Sequence, residues 1–211
     1  MSATRPTDRP YALVLGIMQD GGLPHAGCRC PRCAAAQADP RHSQFVAALA
    51  LVDPRRQPAA VWLIDATPDL PRQLNLLAQE LGPHPRRAAR LRQPDGLLLT
   101  HAHMGHTGGL VHLGPESMDV RQLPVYGPGR LLVQLGQMTL WQPLLRNLDL
   151  RPLPAGQPLA LAADLTVRAV PVPHRDGVGG DTVAYHVSGP QRSLLYLPDI
   201  DAWSDWNEAD V

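Results

Sequence analysis

Three histidines fall within six residues, His101-Ala-His-Met-Gly-His106, directly after the apolar run 96–100. In an extended segment residues two apart face the same way, so His101 and His103 aim their imidazoles at one place. A turn into a helix after them returns His106 to the same end. Three imidazoles at the end of a buried strand form a site for a first-row metal ion, with zinc the first expectation and iron an open alternative. The plainer reading is a set of hydrogen-bonded loop histidines, and the tight spacing after a β run argues against it. A second group, Cys28-Arg-Cys-Pro-Arg-Cys33, contains every cysteine of the chain. An odd, clustered set is a poor disulfide framework. Thiolates two and three apart around a proline turn instead suit three corners of a tetrahedral metal site, with His25 and His42 as local candidates for the fourth. No thioredoxin-like pattern surrounds them to support a redox dithiol.

These ligands need rigid elements to carry them. Segments 11–17, 45–52, 61–64, 96–100, 123–126, 165–172, 182–187 and 193–197 read as strands, because each is a short apolar or alternating run bounded by turn residues. Helices are expected over 69–81 and 130–140, and one begins in 107–113. In the first, Leu70, Leu74, Leu77 and Leu81 keep helical spacing, Pro71 sits in the first turn and Gly82 just past the end. At least seven strands with two or three helices make the class α/β or α+β with large sheets. Residues 1–10, polar and proline-rich, are expected to be a disordered tail, and 11–211 one domain. Remaining histidines (His84, His112 and His186) read as structural or exposed. Trp203 and Trp206 read as core or interface residues.

The 211 residues are 44% hydrophobic and 18% charged, enough for a sizeable core. Nineteen basic and nineteen acidic residues balance, so no charge argument favours nucleic acid or an anionic membrane as partner. All nineteen basic residues are arginine. Without lysine, Schiff-base catalysis and a P-loop lysine are both excluded. The apolar runs are short of a membrane span, and the N-terminus lacks the pattern of a secretory signal, so a cytoplasmic location is expected.

With the histidine run as anchor, the chain resembles the metallo-β-lactamase superfamily, whose signature is His-x-His-x-Asp-His at a strand end. His101, His103 and His106 match the three histidines, Asp65 in Leu-Ile-Asp-Ala-Thr the earlier acidic position, and His174 in Val-Pro-His-Arg the next ligand. Asp199 in Leu-Pro-Asp-Ile matches the aspartate that bridges two metals. The resemblance implies an αββα sandwich and a metal-dependent hydrolase acting on a small molecule, with Asp199 and Asp65 as its catalytic carboxylates. Asp199 ligates metal or accepts a water proton, and Asp65 orients a ligand histidine. Gly105 stands where the superfamily usually has an aspartate, so one complete metal site is expected and a second reduced to His106 and Asp199. Within the superfamily, the Gly-rich loop running into Cys28–Cys33 and the Tyr196-Leu-Pro-Asp-Ile-Asp stretch resemble the coenzyme PQQ synthesis protein B family. That family implies a structural zinc at the cysteines and a role in making pyrroloquinoline quinone, as an oxygenase step or as a carrier. The superfamily's second half normally continues beyond the Asp199 strand, which predicts an exposed edge and a possible homodimer. Arg175, next to His174, is a candidate for an anionic substrate group, or a surface ion pair.

Overall fold

A computed structural model of the protein describes residues 8–175, 177, 179 and 181–206. The chain opens with β1 (Tyr11–Gly16), crosses the cysteine loop into α1 (Pro31–Ala38), and returns as β2 (Ala48–Asp53) and β3 (Ala60–Ile64). Next come α2 (Leu70–Leu76), α3 (Ala78–Leu81) and a small hairpin of β4 (Pro83–His84) and β5 (Arg87–Leu91). The histidine segment follows β6 (Gly96–Leu98) and enters α4 (Met104–Thr107). Then β7 (Leu123–Gly127), α5 (Gly129–Gly136), α6 (Gln142–Leu145) and β8 (Leu148–Pro152) complete the first half. The second half is β9 (Pro158–Ala162), β10 (Leu165–Pro171), β11 (Val183–Ser188) and β12 (Ser193–Tyr196).

Six strands form one sheet in the order β1-β2-β3-β6-β7-β8, and four form another in the order β12-β11-β10-β9. The first is antiparallel from β1 to β3 and parallel from β3 to β8; the second is antiparallel throughout. The alternation along β2 shows why all six of its residues are buried. Leu49 and Leu51 face the second sheet and share one buried cluster with Val167, Val183 and Tyr185. Ala48, Ala50 and Val52 face the helices, among Leu70, Leu74, Leu77, Leu110 and Leu131. Each wholly buried leucine contributes roughly 1.5–3 kcal/mol, so this two-faced strand is a main anchor of the fold. The outer face of the second sheet carries Val170, Val172 and Ala184, against which Leu197, Ile200 and Trp206 pack. This is the α/β sandwich expected from the sequence.

Several local expectations need correction. The helix expected over 69–81 breaks at Leu77, where the backbone leaves helical geometry before α3 begins. The helix expected to reach 140 stops at Gly136, because Met138 turns extended. The helix expected from 107–113 starts earlier, at Met104, and continues as a 3₁₀ turn over Gly108–Leu113. That turn packs so closely that a Cβ on Gly109 would lie 2.0 Å from the Thr67 carbonyl oxygen, which only glycine avoids. Trp203 is 67% exposed rather than core, whereas Trp206 packs on the outer cluster and donates its indole N–H to Pro171 O. The strands β8 and β9, the β4–β5 hairpin and helix α1 had no counterpart in the sequence reading. Of the expected tail, residues 1–7 lie outside the described residues, while Arg9 donates to Gln191 Oε1 at 2.8 Å. Among the described residues no helix is long and apolar enough to cross a membrane.

Arg55 ties the two sheets together. It forks onto Asp53, buried at the end of β2, and onto Asp164 in the β9–β10 turn, with N···O distances of 2.7–2.8 Å. The guanidinium holds both carboxyl groups below their usual range. Arg55→Ala leaves the Asp53 carboxylate, buried at the end of β2, without its partner and should lower the midpoint of chemical unfolding at neutral pH. Lowered carboxyl pKa values stabilise the fold above the unfolded-state value of about 3.9 and lose that effect as pH falls through the folded-state value. The difference between wild type and Arg55→Ala should therefore be full at pH 7 and close below about pH 4.

Candidate metal centre

Strand direction explains why residues far apart in sequence meet. β1, β3 and β6 run the same way in the first sheet, and β10 and β12 run the same way in the second. Their C-terminal ends carry, in turn, Asp20, Asp65, His101 with His103 and His106, His174, and Asp199 with Asp201. Ligand sites in parallel α/β sheets lie at such carboxyl ends.

His101, His103, His174 and Asp199 offer donor atoms that all lie within 4.8 Å of one another. His103 Nδ1 is 3.1 Å from His101 Nε2 and 3.2 Å from His174 Nε2, and Asp199 Oδ2 is 3.4 Å from His101 Nε2. With metal–nitrogen bonds of 2.0–2.1 Å, the corners of a tetrahedral zinc site are about 3.3 Å apart, so these spacings suit one cation. The nitrogens facing away are also committed. Thr100 Oγ1 donates to Asp65 and accepts from His101 Nδ1 at 2.9 Å, which leaves the lone pair on Nε2 facing the cluster. His174 Nδ1 donates to Asp201 Oδ1 at 2.9 Å, with the same consequence. Such outer hydrogen bonds fix tautomer and ring orientation in metal-ligand histidines. Burial, helped by the cationic neighbour His106, pulls His101 down to about 4 and keeps it neutral.

His106 is set differently. Its Nδ1 donates to Asp65 Oδ2 at 2.7 Å, while Nε2 faces Asp199 Oδ2 at 2.9 Å and Asp20 Oδ1 at 3.2 Å. Burial opposes charge on this ring, yet Asp65, Asp199 and Asp20 outweigh it and push His106 up to about 12 in the metal-free protein. In return His106 holds Asp20 and Asp199 below the usual carboxyl range. Asp65 is wholly buried and accepts from Thr100 N–H, Thr100 Oγ1, His106 and Tyr196 Oη. Burial, then the charge of Asp65, keeps the Tyr196 hydroxyl protonated and able to donate. Asp65 holds φ at +68°, a left-handed conformation that costs a non-glycine residue roughly 1–3 kcal/mol and gathers at functional sites.

His101, His103, His106 and His174 therefore converge with Asp65 and Asp199, and Asp65 touches His106 directly and His101 through Thr100. Asp20, Thr100 and Asp201 were missed. For Asp20 the usable signal was a carboxylate in Gln-Asp-Gly-Gly at the end of the first buried strand. Arg175 pairs with Asp201, its N–H at 3.1 Å and Nη1 at 3.2 Å, so the ion-pair reading is the one observed.

The sulfurs of Cys28, Cys30 and Cys33 also lie within 4.8 Å of one another. Helix α1 starts at Pro31, and the hydrogen bond that the Cys33 N–H in its first turn donates to the Cys30 sulfur is the main cause that lowers the Cys30 thiol to about 7. Neither expected fourth ligand joins them. The His25 ring turns to Ala26 O while its backbone N–H donates to Cys33 Sγ, and His42 lies beside Asp39.

Two packed sheets with histidines and aspartates gathered at their strand ends are the arrangement of the metallo-β-lactamase fold. A profile of the Beta-lactamase superfamily domain matches residues 62–211, and the chain belongs to that superfamily. Within it the chain resembles coenzyme PQQ synthesis protein B. It is 31% identical over 148 residues to that protein of Rhodopseudomonas palustris (strain ATCC BAA-98 / CGA009), across 69% of this chain and 45% of the relative. The crystal structure of Zn²⁺-bound PqqB from Methylobacterium extorquens matches with a TM-score of 0.73 at 20% identity, over 90% of this chain and 65% of that one. A diphosphatase from the PhnP family matches with a TM-score of 0.60 at 20% identity, over 85% of this chain and 62% of that one. At 20% identity these two likenesses are of fold. The chain spans less than half the length of the curated relative and less than two thirds of either solved protein.

Proposed function

We propose that this chain is a metal-dependent hydrolase of a small molecule, related to coenzyme PQQ synthesis protein B. The observation that carries the reading is the His101–His103–His174–Asp199 cluster, with donor atoms all within 4.8 Å of one another and the outward nitrogens of His101 and His174 already committed. A divalent cation held there would acidify a water molecule and polarise a carbonyl or phosphoryl oxygen. Asp199, half-buried and kept ionised by His106, is the acceptor for the proton that such a water gives up. Asp65 is sealed from solvent and acts by holding His106 and the Thr100–His101 pair in place. The cysteine cluster takes a zinc ion of its own that braces the loop between β1 and α1.

The test is hydrolysis of esters, lactones and phosphodiesters by protein loaded with zinc or with iron, beside His103→Ala. Turnover that follows metal content and disappears in the variant supports the reading. Fully loaded protein that hydrolyses none of them contradicts it. The 31% identity to PQQ synthesis protein B favours a second reading, a metal-dependent oxygenase step or a carrier role in pyrroloquinoline quinone biosynthesis. Iron-dependent uptake of dioxygen without hydrolysis would favour the oxygenase, and an empty histidine cluster beside a filled cysteine cluster the carrier.

A further inference from the structure

We propose that Asp20 is a metal ligand, completing with His106 and Asp199 a second cation site beside the first. The proposal rests on the metal-centre reading above and adds to it a residue from the opposite end of the domain. Three observations converge. Donor atoms of Asp20, His106 and Asp199 lie within 4.8 Å of one another. His106 is 2% exposed, with its Nδ1 consumed by Asp65, so Nε2 is its one free donor atom, and that atom faces Asp20 at 3.2 Å and Asp199 at 2.9 Å. Asp199 Oδ2 lies also 3.4 Å from His101 Nε2, so one carboxylate serves both clusters and sets the two cations side by side.

The surroundings of Gly105 supply the steric half of the argument. A Cβ at that position would lie 2.4 Å from Asp20 Oδ1, 2.5 Å from its Cγ and 2.6 Å from its Cα. The Asp20 carboxylate and backbone thus fill the volume that any side chain at 105 would need, and glycine there lets the β1 loop close onto α4. The acid missing from the histidine run is replaced in space by one 85 positions earlier in sequence (105 − 20). Three carboxyl groups around the single His106 imidazole form an anionic surplus that matches a divalent cation, and an imidazole with two carboxylates suits zinc, manganese or iron.

The experiment is a titration with Mn²⁺ followed by electron paramagnetic resonance, because this hard cation prefers imidazole and carboxylate over the thiolates of the cysteine cluster. Wild type should bind two Mn²⁺ per chain with a spin-coupled signal. Asp20→Asn should keep one uncoupled ion, with the second weakened at least tenfold. His103→Ala should weaken the other ion and keep the one at Asp20. Asp20 is 46% exposed and His106 keeps Asp65 and Asp199 as partners, so the metal-free variant should stay folded, with its unfolding midpoint lowered only by the lost Asp20–His106 ion pair, which separates loss of a ligand from loss of fold. Two coupled ions in Asp20→Asn, or a single ion in wild type, would overturn the role of Asp20 and leave the first site standing. No ion at the histidines of wild type would overturn both.

Discussion

Asp65→Ala should unfold about 10 °C below wild type, and Asp65→Asn much closer to it, although both lose metal. The alanine variant strips one acceptor from four buried or half-buried donors: Thr100 N–H, Thr100 Oγ1, His106 Nδ1 and Tyr196 Oη. It also places a Cβ residue with no polar side chain at φ +68°. Removing one partner of a buried, hydrogen-bonded ionic group typically costs about 3–5 kcal/mol. In a domain of this length each kcal/mol moves the midpoint by about 2–4 °C. Asparagine keeps the volume, tolerates the left-handed backbone and can still accept from Thr100. Its amide N–H₂ then faces His106 Nδ1, which forces the ring proton onto Nε2, the atom that points at Asp20 and Asp199. Metal affinity should fall by about 10–100-fold while the fold survives. Thermal unfolding beside a metal titration separates the two variants. Wild-type metal affinity in Asp65→Asn would show that the His106 tautomer is not what Asp65 controls.

Removing metal from the wild-type protein should lower its unfolding midpoint by about 5–10 °C. A ligand that binds only the folded state at a hundred times its dissociation constant stabilises by about 2.7 kcal/mol, and the same conversion of about 2–4 °C per kcal/mol applies. The sites do not exist in the unfolded chain, because Asp20, Asp65, His101, His174 and Asp199 come from five separate strand ends. Metal binding energy is therefore folding energy here. The gap between loaded and chelated protein should narrow in acid, as imidazoles and carboxylates protonate and release the cation. Scanning calorimetry with and without chelator checks this, and coincident transitions at neutral pH would contradict it.

The part of the centre legible in sequence was the part encoded locally. His101 and His103 alternate along one extended segment and His106 follows within a turn, so spacing alone placed them. His174, Asp65 and Asp199 were reachable because each stands at the end of an apolar run, in an order that resembles a known superfamily. Asp20 was not, since its role depends on how closely the β1 loop approaches Gly105, a distance set by tertiary packing. Thr100 and Asp201 hold ligand histidines through hydrogen bonds that leave no periodic trace. The strands that were found, such as β2 and β3, are continuous apolar runs because helices cover one face and the second sheet the other. Those that were missed, such as β9 with Pro-Leu-Ala-Leu-Ala, are short, partly exposed edge strands with weak patterning. Helix α1 was hidden because its first turn shares residues with the cysteine motif. Proline at its first position and three consecutive alanines are good helix signals all the same.

The central claim is that the histidines and the cysteines hold metal independently. Elemental analysis of metal per chain tests it most directly, on wild type beside the double variant His101→Ala/His103→Ala and the single variant Cys30→Ser. Separate losses are expected: the histidine variant keeps the zinc of the cysteine cluster, and Cys30→Ser keeps the metal of the histidine centre. Unchanged metal content in the histidine variant would contradict the account and leave the convergent imidazoles without the cation their geometry suits.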